Sequence, residues 1–134
     1  PRYCLLWKAW MYVGLTRNLN LKKLTINIYE SLGLVSSIGH GAAIFANLKL
    51  TNGSYLVSNK KITCFSDDEE KNIQLETVVP FLLESRLVSI GAKYSKKDIF
   101  KPHVERDNRI LTAQNHVSSK IFAESLVERL KWLK

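Results

Sequence analysis

The sequence predicts an α/β domain built on a mainly parallel but incomplete sheet, with helices on both faces. Three observations lead to that class. Short strand-like runs alternate with helix-like runs along most of the chain. One run, Leu34 to Phe45 (LVSSIGHGAAIF), passes from an apolar strand through a glycine-rich corner into the start of a helix. The length, 134 residues with 46% hydrophobic and 24% charged, suits a single globular domain. Gly39 stands at the apex of the corner. Such an apex holds a side chain out on a tight turn, over a helix N-terminus whose free N–H groups stabilise an anion, and it normally carries a nucleophile. Glycine carries none.

The opening PRYCLLWKAWMYVGL has an apolar run broken by Lys8, too short to span a bilayer and without a small-residue cleavage pattern. Neither signal peptide nor membrane anchor is expected. From Leu19 to Leu32 the apolar residues Leu21, Leu24, Ile28 and Leu32 recur at helical spacing, with Gly33 placed for a left-handed cap. LVSSI follows as a short strand, and HGAAIFANL as a helix whose small residues let it sit close to the sheet. Asn52-Gly53 and Ser58-Asn59 are turn signals around two β-rich runs, Tyr55 to Val57 and Lys61 to Phe65, which predicts a hairpin.

Ser66 to Glu69 reads S-x-x-E, a capping box that starts a helix at Asp67 with its acidic residues on the positive end of the dipole. Pro80 interrupts that helix and fits the first turn of another, PFLLESRLVSIG, capped by Gly91. AKYSKKDIFKPHVERDN reads as a strand and a polar loop, and Arg109 to Ala113 as a further strand. Ser118 or Ser119 caps a last amphipathic helix carrying Ile121, Phe122, Leu126, Val127, Leu130 and Leu133. The count is short for a doubly wound sheet, because the strands that should flank the corner strand are missing.

Charge and cysteine usage narrow the function classes. The net charge of +8 permits contact with nucleic acid, but the basic residues fall in scattered pairs such as Lys22-Lys23, Lys60-Lys61 and Lys96-Lys97 without interleaved aromatics. A solvated basic surface is the expectation, and nucleic-acid binding is not. The two cysteines, Cys4 and Cys64, form no CxxC pair, which fits a reducing compartment and places the protein in the cytoplasm. His103 and His116 lack metal-ligand spacing and are expected in surface loops, with no metal and no cofactor. Tyr94 and Trp132 are expected as core or rim aromatics.

From about Asn18 to Leu133 the chain resembles the C-terminal part of the DJ/PfpI superfamily, within the class I glutamine-amidotransferase-like fold. The branch is that of the glutathione-independent glyoxalases (glyoxalase III, D-lactate dehydratases) and the related yeast heat-shock chaperones of the stress response. The segments that carry the resemblance are IYESLGLVSSIGHGAAIFANLKLTNGSYLV, KKITCFSDDEE, VVPFLLESRLVSIGAKY, PHV and RILTAQNHVSSKIFAESL. It implies an incomplete flavodoxin-like sandwich with a nucleophile-elbow strand-turn-helix. Residues 1–17 are then a divergent N-terminal segment, and residues 18–134 the C-terminal part of the family domain.

The family elbow is similar to A-x-C-H-G, and here residues 37–41 read SIGHG. Carried over by position, the nucleophile cysteine is replaced by Gly39, its histidine partner is His40, and the acid falls on Glu70 with Glu69 adjacent. The family reaction implied is a lyase step that converts methylglyoxal to D-lactate without a cofactor, through a thiolate at the elbow. Cys64 and Ala113 stand where the family usually has glycine, and His116 where it has proline. The N-terminal half of the family domain has no counterpart.

Ser37 and Cys64 are not expected to replace the thiol, since nothing near Ser37 suggests an activating base, and Cys64 begins a different segment and reads as a buried apolar cysteine. The resemblance therefore implies a degenerate, catalytically inactive fragment in which His40 and Glu70 are vestigial. The alternative is a non-catalytic chaperone-like or dimerising module that meets a second copy or client proteins through an exposed sheet edge. A weaker alternative is residual glyoxalase or deglycase activity on a small aldehyde.

Overall fold

A computed structural model describes residues 12–132; the first eleven residues, Leu133 and Lys134 lie outside that range. Residues 12–17 are helical. Helix α1 (Leu19–Glu30) follows, its first turn closed by the Asn18 side chain, which accepts from the Leu21 N–H. Strand β1 (Val35–Ile38) leads into a 3-10 helix, Gly39–Asn47. Then come β2 (Lys61–Ile62), α2 (Asp67–Asn72), α3 (Leu83–Ser89), β3 (Lys93–Tyr94), β4 (Val104–Asp107) and β5 (Ile110–Ala113). A 3-10 turn, His116–Ser118, opens α4 (Ser119–Trp132).

The chain is a mixed α/β fold. β1 runs parallel to β5, with Val35 opposite Ile110 and Ile38 opposite Ala113, and β4 runs antiparallel on the other side of β5. β2 and β3 form a separate two-stranded parallel pair. Position 63 links the two sheets: its N–H donates to Thr112 Oγ1 at 2.9 Å. All four residues of β5 are buried, as expected for a strand covered on both faces.

The core lies where the Gly39–Asn47 helix packs on β1, β5 and α3. Ala42, Ala43 and Ala46 are fully buried, so small side chains let this helix approach its neighbours, while Phe45, Leu48, Leu56, Leu83 and Leu87 fill the remaining space. The buried Tyr29 ring of α1 belongs to the same core and lies under the Arg109 guanidinium, 4.6 Å from the ring centroid.

Several expectations are corrected by tertiary contacts. α1 buries Thr25 and Tyr29 and packs Leu21 against the core, whereas Leu24, Ile28 and Leu32 are exposed, so most of the expected stripe faces away from it. The left-handed residue after α1 is Leu32 (φ +68), not Gly33. Gly33 serves close approach instead: a Cβ there would lie 2.6 Å from Ile28 Cγ2 and 2.7 Å from the Ile28 carbonyl oxygen. HGAAIFANL is a 3-10 rather than an α-helix.

Asn52-Gly53 does turn the chain, with Gly53 at φ +85. However, it pairs Lys49 with Tyr55, while β2 leaves the predicted hairpin to pair in parallel with β3. A two-residue β2 has too few local pairing partners to form a hairpin, and a long-range ladder takes it.

The helix begun at Asp67 stops at Asn72, long before Pro80, with Gln74 in a left-handed conformation (φ +57). The expected polar loop contains β4, because Asn108 (φ +52) turns the chain tightly enough to lay Val104–Asp107 beside β5. Asn115 caps the turn before α4 in place of a serine, accepting from the Ser118 N–H at 3.1 Å. α4 buries Ser125 and exposes Val127 and Leu130. The capping box at Ser66 and Glu69 and the cap at Gly91 (φ +94) form as predicted.

Candidate functional site at the elbow

β1 delivers the chain to Gly39, which sits at φ +54 in the left-handed region. A Cβ at this position would meet nothing nearer than the Gln114 carbonyl oxygen at 3.8 Å and the Asn115 Cα at 3.9 Å. The apex therefore has room for a side chain; only the backbone conformation favours glycine. Ser37, two residues earlier, is buried, and its Oγ has no partner among the described residues.

His40 follows the apex and is buried. Its Nε2 lies 2.6 Å from Oε2 of Glu70, which is itself 2% exposed. When Glu70 is the carboxylate its oxygen accepts, and the donor in this short contact is then the Nε2–H of the ring. The second carboxylate oxygen, Oε1, has no partner among the described residues.

Adjacent glutamates do different work. Glu69 Oε2 accepts from the Ser66 N–H at 2.9 Å, closing the capping box, and its Oε1 accepts from the Phe100 N–H at 3.0 Å and from Asn115 Nδ2 at 2.6 Å. Its acceptors are spent on structure. Glu70, one residue on and turned about 100° around the helix, is the one that meets His40.

The imidazole is enclosed by aromatics. Phe65 lies 4.2 Å away between ring centroids, and Tyr12 stands edge-on at 5.6 Å and in turn packs on Phe81 at 5.1 Å. Tyr12 is fully buried, its hydroxyl has no partner among the described residues, and burial, reinforced by Glu70, pushes its phenol far above the usual range. Sequence reasoning missed this residue: Tyr12 lies twenty-eight residues before His40, and no local spacing ties the two together.

Among the described residues none of the other sequence candidates is hydrogen-bonded to His40 or Glu70. Cys64 is fully buried, donates to the Phe65 carbonyl at 3.3 Å, and has its thiol pushed up by burial. His103 is not a free loop residue: its Nε2 lies 2.7 Å from Ser95 Oγ, whose hydroxyl donates to Glu105. His116 is exposed. Tyr94 is half-buried and donates to the Cys64 carbonyl at 3.2 Å. Among the described residues no cluster of three His, Cys, Asp or Glu side chains could hold a metal ion. No helix among them is long and apolar enough to cross a membrane.

Comparison with known proteins places this geometry. No family profile matches the chain. It is 31% identical over 117 residues to glyoxalase 3 of Candida albicans, covering 81% of this chain and 48% of that protein. The crystal structure of that organism's glyoxalase III superposes with a TM-score of 0.81 at 27% identity, over 87% of this chain and 52% of the other. The chain belongs to the DJ/PfpI superfamily.

A second curated relative, the Schizosaccharomyces pombe protein named "Probable glutathione-independent glyoxalase hsp3103", is 29% identical over 119 residues, covering 83% of the DJ/PfpI chain and 46% of that protein. Rapid encystment protein 24 kDa of Francisella tularensis superposes at a TM-score of 0.81 with 38% identity, over 85% and 52% of the two chains. The ThiJ/PfpI domain protein of Brachyspira murdochii shares the fold at 0.65 and 24% identity, over 91% and 56%. The DJ/PfpI chain spans about half the length of the curated relatives it matches.

Proposed function

We propose that this DJ/PfpI chain is a non-catalytic descendant of a glutathione-independent glyoxalase, cytoplasmic, with the elbow retained and its nucleophile lost. One observation carries the reading: Gly39 occupies the apex while the His40–Glu70 pair behind it persists at 2.6 Å. An imidazole held by a carboxylate can pass a proton, but covalent addition to an aldehyde needs a thiolate or equivalent nucleophile at the apex. Cys64 cannot serve, being fully buried with a raised thiol pKa. Ser37 is buried one strand step away, with no base bonded to its Oγ among the described residues.

The test is methylglyoxal consumption by the purified chain beside Gly39→Cys, with the fold of each checked by circular dichroism. No turnover by the wild-type chain is expected. Wild-type turnover that disappears in His40→Ala would overturn the reading and leave the chain an enzyme.

A second reading, a chaperone-like or dimerising module, is favoured by exposed apolar residues on two helices: Leu24 at 56% and Leu32 at 65% beside α1, and Val127 at 54% on α4. Suppression of a client protein's thermal aggregation at equimolar chain is its measurement; no suppression removes it.

A further inference from the structure

The β2–β3 pair and the neighbouring edge of β4 bring together charges that the sequence scatters. Lys61 of β2, Lys97 just beyond β3 and Arg106 of β4 line one open cleft of about 530 Å³, together with His103, Glu105 and Ser125. A volume of about 300–1,000 Å³ is typical of small-molecule sites. Lys60 and Lys96, the chain neighbours of the two lysines, already pair with Asp107 and with Asp68 and Glu84. Among the described residues Lys61 and Lys97 make no ion pair.

The cations are held from behind. The Lys61 N–H donates to Asp107 Oδ2 at 2.8 Å, and the Lys97 backbone is clamped by the fully buried Gln114, which accepts from its N–H at 2.9 Å and donates to its carbonyl at 3.1 Å. Arg106 donates to Ser125 Oγ at 2.7 Å and to Glu128 at 3.1 Å. An acceptor shares the cleft with them. When Glu105 is the carboxylate, the Ser95 hydroxyl donates to its Oε1, and Ser95 Oγ accepts from the Nε2–H of His103 at 2.7 Å. Glu105 Oε2 has no protein partner among the described residues.

We propose that this cleft binds a small phosphorylated polyol, its phosphate held by Lys61, Lys97 and Arg106 and one of its hydroxyls donating to Glu105. A bare anion would satisfy the cations but face the carboxylate, and a neutral polyol would leave the cations unused. A ligand carrying both groups answers both. A nucleic-acid backbone fits less well, because it needs a continuous basic track and the adjoining Lys60 and Lys96 are already paired. The cleft shares no residue with the His40–Glu70 pair, so the proposal goes beyond the elbow reading and stands whether or not that reading holds.

His103 couples the cleft to pH. The charged groups around it are Glu105 and Arg106 from β4, Lys97 from beyond β3 and Lys61 from β2, while α4 gives the cleft only the neutral Ile121 and Ser125. Burial holds the His103 pKa below the ordinary 6.5. An anion in the cleft raises it, so proton uptake and anion binding favour one another.

The test is calorimetric titration of the full chain at about 0.15 M salt with glycerol 3-phosphate, inorganic phosphate and sulfate, with amide shifts recorded alongside. Glycerol 3-phosphate should bind more tightly than inorganic phosphate, and the shifts should centre on residues 61, 97 and 103–106 and leave 39–41 unmoved. Lys61→Gln with Lys97→Gln should weaken glycerol 3-phosphate about fivefold or more. Both side chains are exposed, so the melting midpoint should not move. Glu105→Gln should tighten inorganic phosphate and narrow its gap from glycerol 3-phosphate. Sulfate keeps its charge across this range and should bind about threefold or more tighter at pH 5.5 than at pH 8, a rise that His103→Asn flattens.

Three results would overturn the proposal. Glycerol 3-phosphate fails to bind at that salt, or binds with shifts centred elsewhere. The double lysine variant binds it as well as the wild-type chain does. A duplex DNA oligonucleotide occupies the cleft while glycerol 3-phosphate does not. A flat sulfate profile in the wild-type chain would overturn the part played by His103.

Discussion

The ring of Tyr12 stands edge-on to the imidazole of His40, 5.6 Å between centroids, and is fully buried, its hydroxyl without a partner among the described residues. A buried hydroxyl without a partner lowers stability by about 1–3 kcal/mol relative to an apolar replacement of the same shape. Tyr12→Phe should therefore raise the free energy of unfolding by about 1 kcal/mol, whereas Tyr12→Ala should lower it by about 3–5 kcal/mol through the cavity left against His40 and Phe81. Urea unfolding of both variants measures this. A destabilised Tyr12→Phe would mean the hydroxyl has a partner after all.

Removing either member of the His40–Glu70 pair should have unequal effects. His40→Ala leaves Glu70 buried with neither oxygen partnered among the described residues, a loss of about 3–5 kcal/mol. Glu70→Gln keeps an acceptor oxygen within reach of Nε2 and should cost about 1 kcal/mol. Chemical denaturation gives the order directly, and equal losses would show that the pair contributes nothing beyond packing.

The two glycines flanking β1 should respond to substitution for opposite reasons. Gly39→Ala has open space but a left-handed backbone, so a cost of about 1–2 kcal/mol is expected, and Gly39→Cys should fold with a similar loss. Gly33→Ala has an ordinary φ but collides with Ile28, for about 1–3 kcal/mol. Ile28→Ala removes the nearest atom, so the double-mutant cycle with Gly33→Ala should show a favourable coupling of at least about 0.5 kcal/mol. Additive losses would place the strain on the Ile28 carbonyl oxygen, 2.7 Å from the added Cβ, which Ile28→Ala leaves in place.

His103 gives the fold an acid-side sensitivity. Burial lowers its pKa below the ordinary 6.5; Glu105 opposes the shift and Lys97 assists it. A histidine with a lowered folded pKa takes up its proton more readily when unfolded. Its stabilising contribution is present above about pH 6.5 and is lost as pH falls through the folded value. Melting midpoints measured from pH 7.5 down to 5 should fall less steeply in His103→Asn than in the wild-type chain. Parallel curves would exclude the residue as a source of the decline.

Local chemistry was readable along the chain wherever a short-range bond decides the structure. The Ser66 to Glu69 capping box, the Gly91 cap, the strand at Ile110–Ala113 and the order strand, corner, helix around Gly39 are each set by residues a few positions apart. Position also pointed to His40 and Glu70, through the spacing shared with a known elbow. The α1 stripe misled because helical periodicity gives the angle between faces but not which face the neighbours cover. Tyr29 goes inward because Arg109, eighty residues on, caps its ring.

The sequence by itself determined the fold class, the superfamily and the absence of a side chain at the apex, since composition, order of elements and the identity of residue 39 need no coordinates. Tertiary structure alone decided that Glu70 rather than Glu69 meets His40, that Tyr12 closes over the imidazole, and that β2 pairs with β3. Each of these depends on contacts between residues far apart in the chain. Such contacts are selected by which surfaces can be buried together, and no window of neighbouring residues contains that information.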